Sequence, residues 1–227
     1  MTQYWKAALA GTAAIALTAM APSWMNDIVR GEASHTIGSA DAPSHVTEYV
    51  SYTCPACADF TKQGEAALKL TYVDSGKARL EIRHVMRNPV DLAATMMVWC
   101  GPERKFLQNH TMMMDLQDEW LAKADHINEG QRQRWYHGPA TERRKAVARD
   151  FDFYRLFETR GYGRAELDRC LADEELAARL SAASERYSAE NYVTSTPSFA
   201  IDGNTLVATH GWDALNTQLK AQLDGGL

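Results

Sequence analysis

Two cysteines separated by two residues, Cys54-Pro55-Ala56-Cys57, are the positions in this sequence best suited to chemistry. In a helix, side chains at that spacing lie on one face about one turn apart, so the sulfurs can close a small-ring disulfide without unwinding the backbone. The flanks point to such a helix. His45-Val46-Thr47-Glu48-Tyr49-Val50 holds the β-branched and aromatic residues of a strand, whereas from Pro55 onward Ala, Phe, Lys, Gln, Glu and Leu favour a helix, with Thr53 placed to cap it. A sulfur at that junction faces unpaired N–H groups and the positive end of the helix dipole. Cys54 is therefore expected to ionise below the ordinary thiol range and to be the exposed nucleophile. Cys57, one turn deeper, is expected to be shielded and to serve as the resolving thiol. Glu48, six residues before Cys54 on the incoming strand, is a candidate base. A carboxyl buried there has a raised pKa and can take the proton from Cys57.

Other uses of a Cys-x-x-Cys pair fit less well. Haem attachment needs a His directly after the second cysteine, and Ala58 stands there. Zinc needs two further ligands at short spacing, and neither Cys100 nor Cys170 brings another Cys or His at such spacing. His110 with Met112-Met113-Met114 offers soft donors for copper, but methionines also fill irregular cores and line adaptable surfaces, so packing is their expected role. His84 is read as a core histidine. No metal is expected, and the Cys54–Cys57 disulfide is the only redox group expected.

A chain of 227 residues with 45% apolar composition can form one sizeable core, alone or with a large insertion. The formal charge of −5 gives no general case for nucleic acid. The arginine-rich run from Gln131 to Arg164 is read as a solvated helical face. Lys6 precedes an apolar stretch, Ala7 to Ala21, that ends in the small-residue pattern Ala19-Met20-Ala21. Residues 1–21 are thus read as a signal peptide. Pro22 is unfavourable to cleavage, which leaves a membrane anchor as the alternative. Either way the protein is expected to be exported, for instance to a periplasm.

The rest of the chain alternates between strand and helix signals. Trp24 to Ser34 is weakly patterned, and 22–34 is read as a linker or short helix. Strands are expected at His35–Gly38, Val46–Tyr52 and Ala78–Met86, with a helix from Pro55 to Val73 ended by Asp74-Ser75-Gly76. Asp91 is expected to cap a helix from Leu92 to Trp99. Further helices are expected over Phe106–Leu121, Thr141–Thr159 and Arg164–Glu190, too many for a single crossover. Around Asp202-Gly203-Asn204 a hairpin joins Ser198–Ile201 to Thr205–Ala208, and a helix from Trp212 to Leu223 closes the chain.

Glu48, the Cys54-Pro55-Ala56-Cys57 motif and the later Thr196-Pro197-Ser198-Phe199 together resemble the DsbA-like branch of the thioredoxin superfamily. The resemblance spans most of the chain. It implies an α/β, thioredoxin-like fold in two parts, 35–88 and 191–227, around a large helical insertion at 89–190. It also implies that Pro197 is cis and packs beside the active-site disulfide. Thr196 would offer backbone groups to an extended substrate peptide, with Pro55 and Ala56 on the same binding face. One position departs from the pattern: oxidising members often carry His where Ala56 stands. The implied activity is thiol-disulfide exchange with cysteines of exported proteins, chiefly as an oxidant that a membrane redox partner restores, in a monomer. Ala56 and Thr196 keep an isomerase or reductase as the alternative, with a copper-binding or metal-centre assembly module behind it. Four cysteines in an exported chain and the cysteine pairs of some DsbA relatives point to a Cys100–Cys170 disulfide. Two separate buried thiols are the other reading.

Overall fold

The computed structural model describes residues 23–225. The expected leader at 1–21 lies outside them. Six strands form one sheet: β1 Ile28–Arg30, β2 Ser34–Ile37, β3 Ser44–Val50, β4 Ala78–His84, β5 Ser198–Ile201 and β6 Asn204–Thr205, in the order β1-β2-β4-β3-β5-β6. Only β3 and β4 pair in parallel, and a parallel pair requires a crossover. The helical segment from Pro55 to Val73 supplies it, running through α1 Pro55–Phe60, a π-wound stretch Thr61–Glu65, α2 Ala66–Leu68 and a second π-wound stretch Lys69–Val73. Strand β3 lies inside the sheet, and nearly all its side chains are buried. That explains why Val46 to Val50 is close to continuously apolar or β-branched, with Glu48 as the exception.

Between β4 and β5 come α3 Pro89–Val98, α4 Phe106–Asp115, α5 Gln117–Leu121, α6 Glu129–Gln133, α7 Ala140–Asp150, α8 Phe153–Glu158, α9 Arg164–Leu171 and α10 Glu174–Glu190. After β6, α11 Trp212–Gly225 packs against the crossover helix, Trp212 and Asn216 meeting Tyr72, and buries Leu215 and Leu219. In the insertion Trp120 packs edge-to-face on Phe151 and Phe153, which stack on each other, with ring centroids 5.2 to 5.9 Å apart. Among the described residues no helix is long and apolar enough to cross a membrane.

Several expectations need correction. Of the linker or short helix expected at 22–34, the described residues form a short 3-10 helix, Trp24–Asn26, but no linker: β1 pairs with β2, Ile28 opposite Ile37, and the Arg30 guanidinium donates to the carbonyls of Trp99 (3.0 Å) and Gly101 (2.9 Å). The sheet thus begins before residue 35. Helix α3 starts at Pro89, capped by Asn88, whose side chain accepts from the N–H groups of Val90 and Asp91. Asp91 is left free for another task. Each expected long helix of the insertion breaks in two, at Leu116, at Phe151-Asp152 where Asp152 has φ 61°, and at Asp173, which caps α10. Asn128 opens α6 with a capping box to Gln131, in the stretch between the helices expected at Phe106–Leu121 and Thr141–Thr159. The second hairpin strand ends at Thr205, and the chain turns away at Ala208, φ 54°.

Candidate active site

Strand β3 runs into the turn Ser51-Tyr52-Thr53, and α1 begins directly after it. The cap is Cys54 itself, not Thr53: its backbone is extended at φ −99°, ψ 113°, and Pro55 fills the first helical position, where a missing N–H costs nothing. Cys54 is the less buried of the two cysteines, 7% exposed against 0% for Cys57. It is covered more than the sequence suggested, and its access is a cleft of about 790 Å³ lined by Pro55, Ala56, Val85, Met86, Arg87, Ser184 and the segment from Val193 to Thr196.

The far wall of that cleft is the Thr196-Pro197 loop, whose peptide bond is cis. The Cys54 thiol donates to the Thr196 carbonyl at 3.2 Å. His210 holds the loop from behind, its Nδ1 2.8 Å from the Pro197 carbonyl, and the Ser198 hydroxyl donates to the Ser195 carbonyl at 2.8 Å. Thus the structure brings Cys54, Cys57, Pro55, Ala56, Thr196 and Pro197 together. Both thiols of the motif are free.

The two sulfurs are driven in opposite directions. A hydrogen bond from the Cys57 thiol lowers the pKa of Cys54 to about 5, against the cost of burial and with further help from the Thr196 side chain, the Cys57 backbone N–H and the Arg87 charge. Arg87 thereby supplies a cation that Ala56 cannot. Burial pushes Cys57 far above the thiol range, and its role as donor to Cys54 and the negative charge of Glu48 push it further. Glu48 is fully buried on β3, and neither carboxyl oxygen has a hydrogen-bond partner among the described residues. Burial raises its pKa well above the carboxylate range, and nearby Glu65 adds to this while Lys69 opposes it. Glu48 is therefore a buried carboxyl of raised pKa within electrostatic reach of Cys57.

Other residues at the site went unnoticed in the sequence. Asp91 is buried under the turn and accepts from the Ser51 hydroxyl (2.9 Å), the Thr53 N–H (2.9 Å) and hydroxyl (3.1 Å) and the Arg87 N–H (3.0 Å). Gln117, also buried, meets the turn from α5. His84 is a core histidine, its Nε2 3.0 Å from the Tyr52 hydroxyl. His110 contacts the Tyr52 hydroxyl (2.9 Å) and Glu65 (3.4 Å), and Met113 and Met114 are fully buried. These residues pack the core behind the turn. Cys100 and Cys170 are joined by a disulfide, Cα atoms 5.6 Å apart.

A mixed sheet with a dithiol at the first helix start, a cis-proline loop against it and a helical insertion defines a thioredoxin-like fold of the DsbA-like form. Comparison with known proteins agrees. The family model described as Thioredoxin matches residues 30–221. The crystal structure of a protein-disulfide isomerase from Novosphingobium aromaticivorans is 39% identical and superposes with a TM-score of 0.81 over 84% of this chain and 97% of that one. The alpha-DsbA1 of Wolbachia pipientis, 17% identical with a TM-score of 0.65 over 84% of this chain and 90% of that one, shares the fold. A Rickettsia typhi protein, provisionally named a protein-disulfide oxidoreductase, is 33% identical over 85 residues, 37% of this chain and 32% of the relative. That match spans about a third of the curated relative's length. The chain belongs to the thioredoxin family, in the form whose fold carries a DsbA-like helical insertion.

Proposed function

We propose that this protein transfers the Cys54–Cys57 disulfide to cysteine pairs of exported proteins and that it works as an oxidant. The observation that carries this reading is the contrast between the sulfurs: Cys54 is held at about 5 at a helix start, while burial keeps Cys57 a thiol. A stabilised Cys54 thiolate favours the reduced enzyme and makes the disulfide a strong electron acceptor. The reaction has two steps. A substrate thiolate attacks the Cys54 sulfur, the Cys54–Cys57 bond breaks, and its electron pair goes to Cys57, which takes a proton from the Glu48 carboxyl, whose raised pKa favours the protonated form. A second substrate thiolate then attacks the substrate sulfur of the mixed disulfide, and Cys54 leaves as a thiolate. Two substrate thiols have lost two electrons and two protons; the enzyme holds the electrons and one proton on Cys57, and the other proton passes to solvent. Glu48 regains its proton from solvent, and a membrane redox partner withdraws the two electrons to restore the disulfide.

Substrate access is through the cleft beside Thr196 and Pro197, whose backbone is available to an extended peptide, with Pro55 and Ala56 forming the opposite lip. The apolar segment before residue 22 supports export to a periplasm, with or without retention as an anchor. Isomerase or reductase action is the second reading, favoured by Ala56, by Thr196 before the proline and by the name of the Novosphingobium relative. The equilibrium of the Cys54–Cys57 couple with glutathione decides. A potential close to the strongly oxidising value of DsbA, about −120 mV, is the expected result, and one near that of thioredoxin, about −270 mV, would overturn the oxidant reading in favour of reduction. A copper-binding role would instead show as copper retained through purification and lost in Cys54→Ser.

A further inference from the structure

We propose that Gln117 is a positioning residue for Cys54, through which the helical insertion fixes the geometry of the nucleophile's helix start. This deepens the oxidoreductase reading and rests on it. Gln117 opens α5 and is fully buried. Its side-chain amide donates to two backbone carbonyls on either side of Thr53, that of Tyr52 at 2.7 Å and that of Cys54 at 2.9 Å. The Cys54 carbonyl also receives the first hydrogen bonds of the helix, from the N–H groups of Cys57 (3.1 Å) and Ala58 (3.3 Å). One oxygen thus ties the nucleophile's peptide plane, the helix start and the insertion together.

The clamp has a second side. Where Gln117 takes carbonyls, Asp91 on α3 takes the Thr53 N–H and the hydroxyls of Ser51 and Thr53. Between them the turn has little freedom to tilt. The Gln117 oxygen Oε1 has no hydrogen-bond partner among the described residues. An orphan acceptor offsets part of what the two donated bonds contribute to folding, so the contribution of this amide to the turn is chiefly geometric. Without Gln117 the Tyr52 and Cys54 carbonyls lose its side-chain donor, and the Cys54 peptide is held only by the helix N–H groups, which are then free to drift from the sulfur. Both changes disfavour the thiolate.

The test replaces Gln117 with Met, which keeps the bulk and removes the donors. Two quantities are read in Gln117→Met and wild type: the pH midpoint of Cys54 ionisation, from thiolate ultraviolet absorbance, and the equilibrium constant with glutathione. The expected result is a midpoint raised by about one pH unit and an equilibrium displaced about tenfold toward the disulfide form, with native circular dichroism. A folded variant with both quantities within twofold of wild type would overturn the proposal and leave Gln117 as packing. If Gln117→Met does not fold, the wild-type protein decides by nuclear magnetic resonance. The Gln117 side-chain amide resonances should shift between the reduced and disulfide forms, and unchanged resonances count against the clamp. The Cys54 midpoint reads the clamp without reference to turnover. A wild-type couple that does not exchange with glutathione would sink the functional reading alone.

Discussion

At the scale of single residues, the site turns on how much it costs to place a negative charge on each of two sulfurs one helical turn apart. Cys54 has donors on several sides, and Cys57 has none that outweigh its burial. This fixes a pH dependence whose sign follows from linkage. In the reduced protein Cys54 titrates at about 5 when folded, below its unfolded value of about 8.5. The stability this contributes is fully present above the unfolded value and is lost as pH falls towards 5. The disulfide form has no such group. The stability of the reduced form relative to the disulfide form should therefore rise between about pH 5 and about pH 8.5, measured by denaturant unfolding of both forms across that window. A difference flat with pH would mean that the Cys54 thiolate is not stabilised by the fold. Iodoacetamide should label Cys54 with a midpoint near pH 5 and spare Cys57 throughout.

At the scale of elements, legibility followed locality. The β3 strand, the α1 start and the dithiol could be read because a β-branched run, a proline and a helix-forming segment follow one another within a few residues. Strand β1 could not. Three residues carry no period, and Ile28–Arg30 is a strand because β2 and the Arg30 contacts to Trp99 and Gly101 hold it there. Asp91, read only as a helix cap, and Gln117 were not placed at the site for the same reason, since their partners there lie 38 to 40 and 63 to 65 positions away in sequence. Nor did composition announce the π-wound stretches in the crossover helix. Gly64 lies in the first of them, where a Cβ would come within 2.7 Å of the Phe60 ring and 2.8 Å of the Trp212 Cβ. In an ordinary helix Gly→Ala stabilises by about 1 kcal/mol. Here the close approach of α11 reverses the sign, and Gly64→Ala should destabilise by roughly 1–3 kcal/mol in chemical denaturation. A neutral or stabilised variant would show that α11 can move away at no cost.

At the scale of the whole molecule, the insertion both covers the sheet and holds the redox turn, so its integrity and the reactivity of Cys54 are separable by experiment. The Cys100–Cys170 bridge links the end of α3 to α9 across 70 positions and encloses most of the insertion. Closing a loop of that length removes about 4 kcal/mol of chain entropy from the unfolded state, a large share of the stability of a domain. The contacts that reach the active-site turn come from the opposite end of α3, through Asp91, and from α5, through Gln117. Neither contact includes a bridging sulfur. Replacing both cysteines together, Cys100→Ala with Cys170→Ala, avoids leaving a stray thiol to compete with Cys54. The denaturation midpoint of this double variant should fall by the equivalent of about 4 kcal/mol, while its equilibrium constant with glutathione stays within twofold of wild type at temperatures where it remains folded. If the constant shifts in step with stability, α3 carries strain from the bridge to the turn, and the insertion acts on the nucleophile as one rigid body.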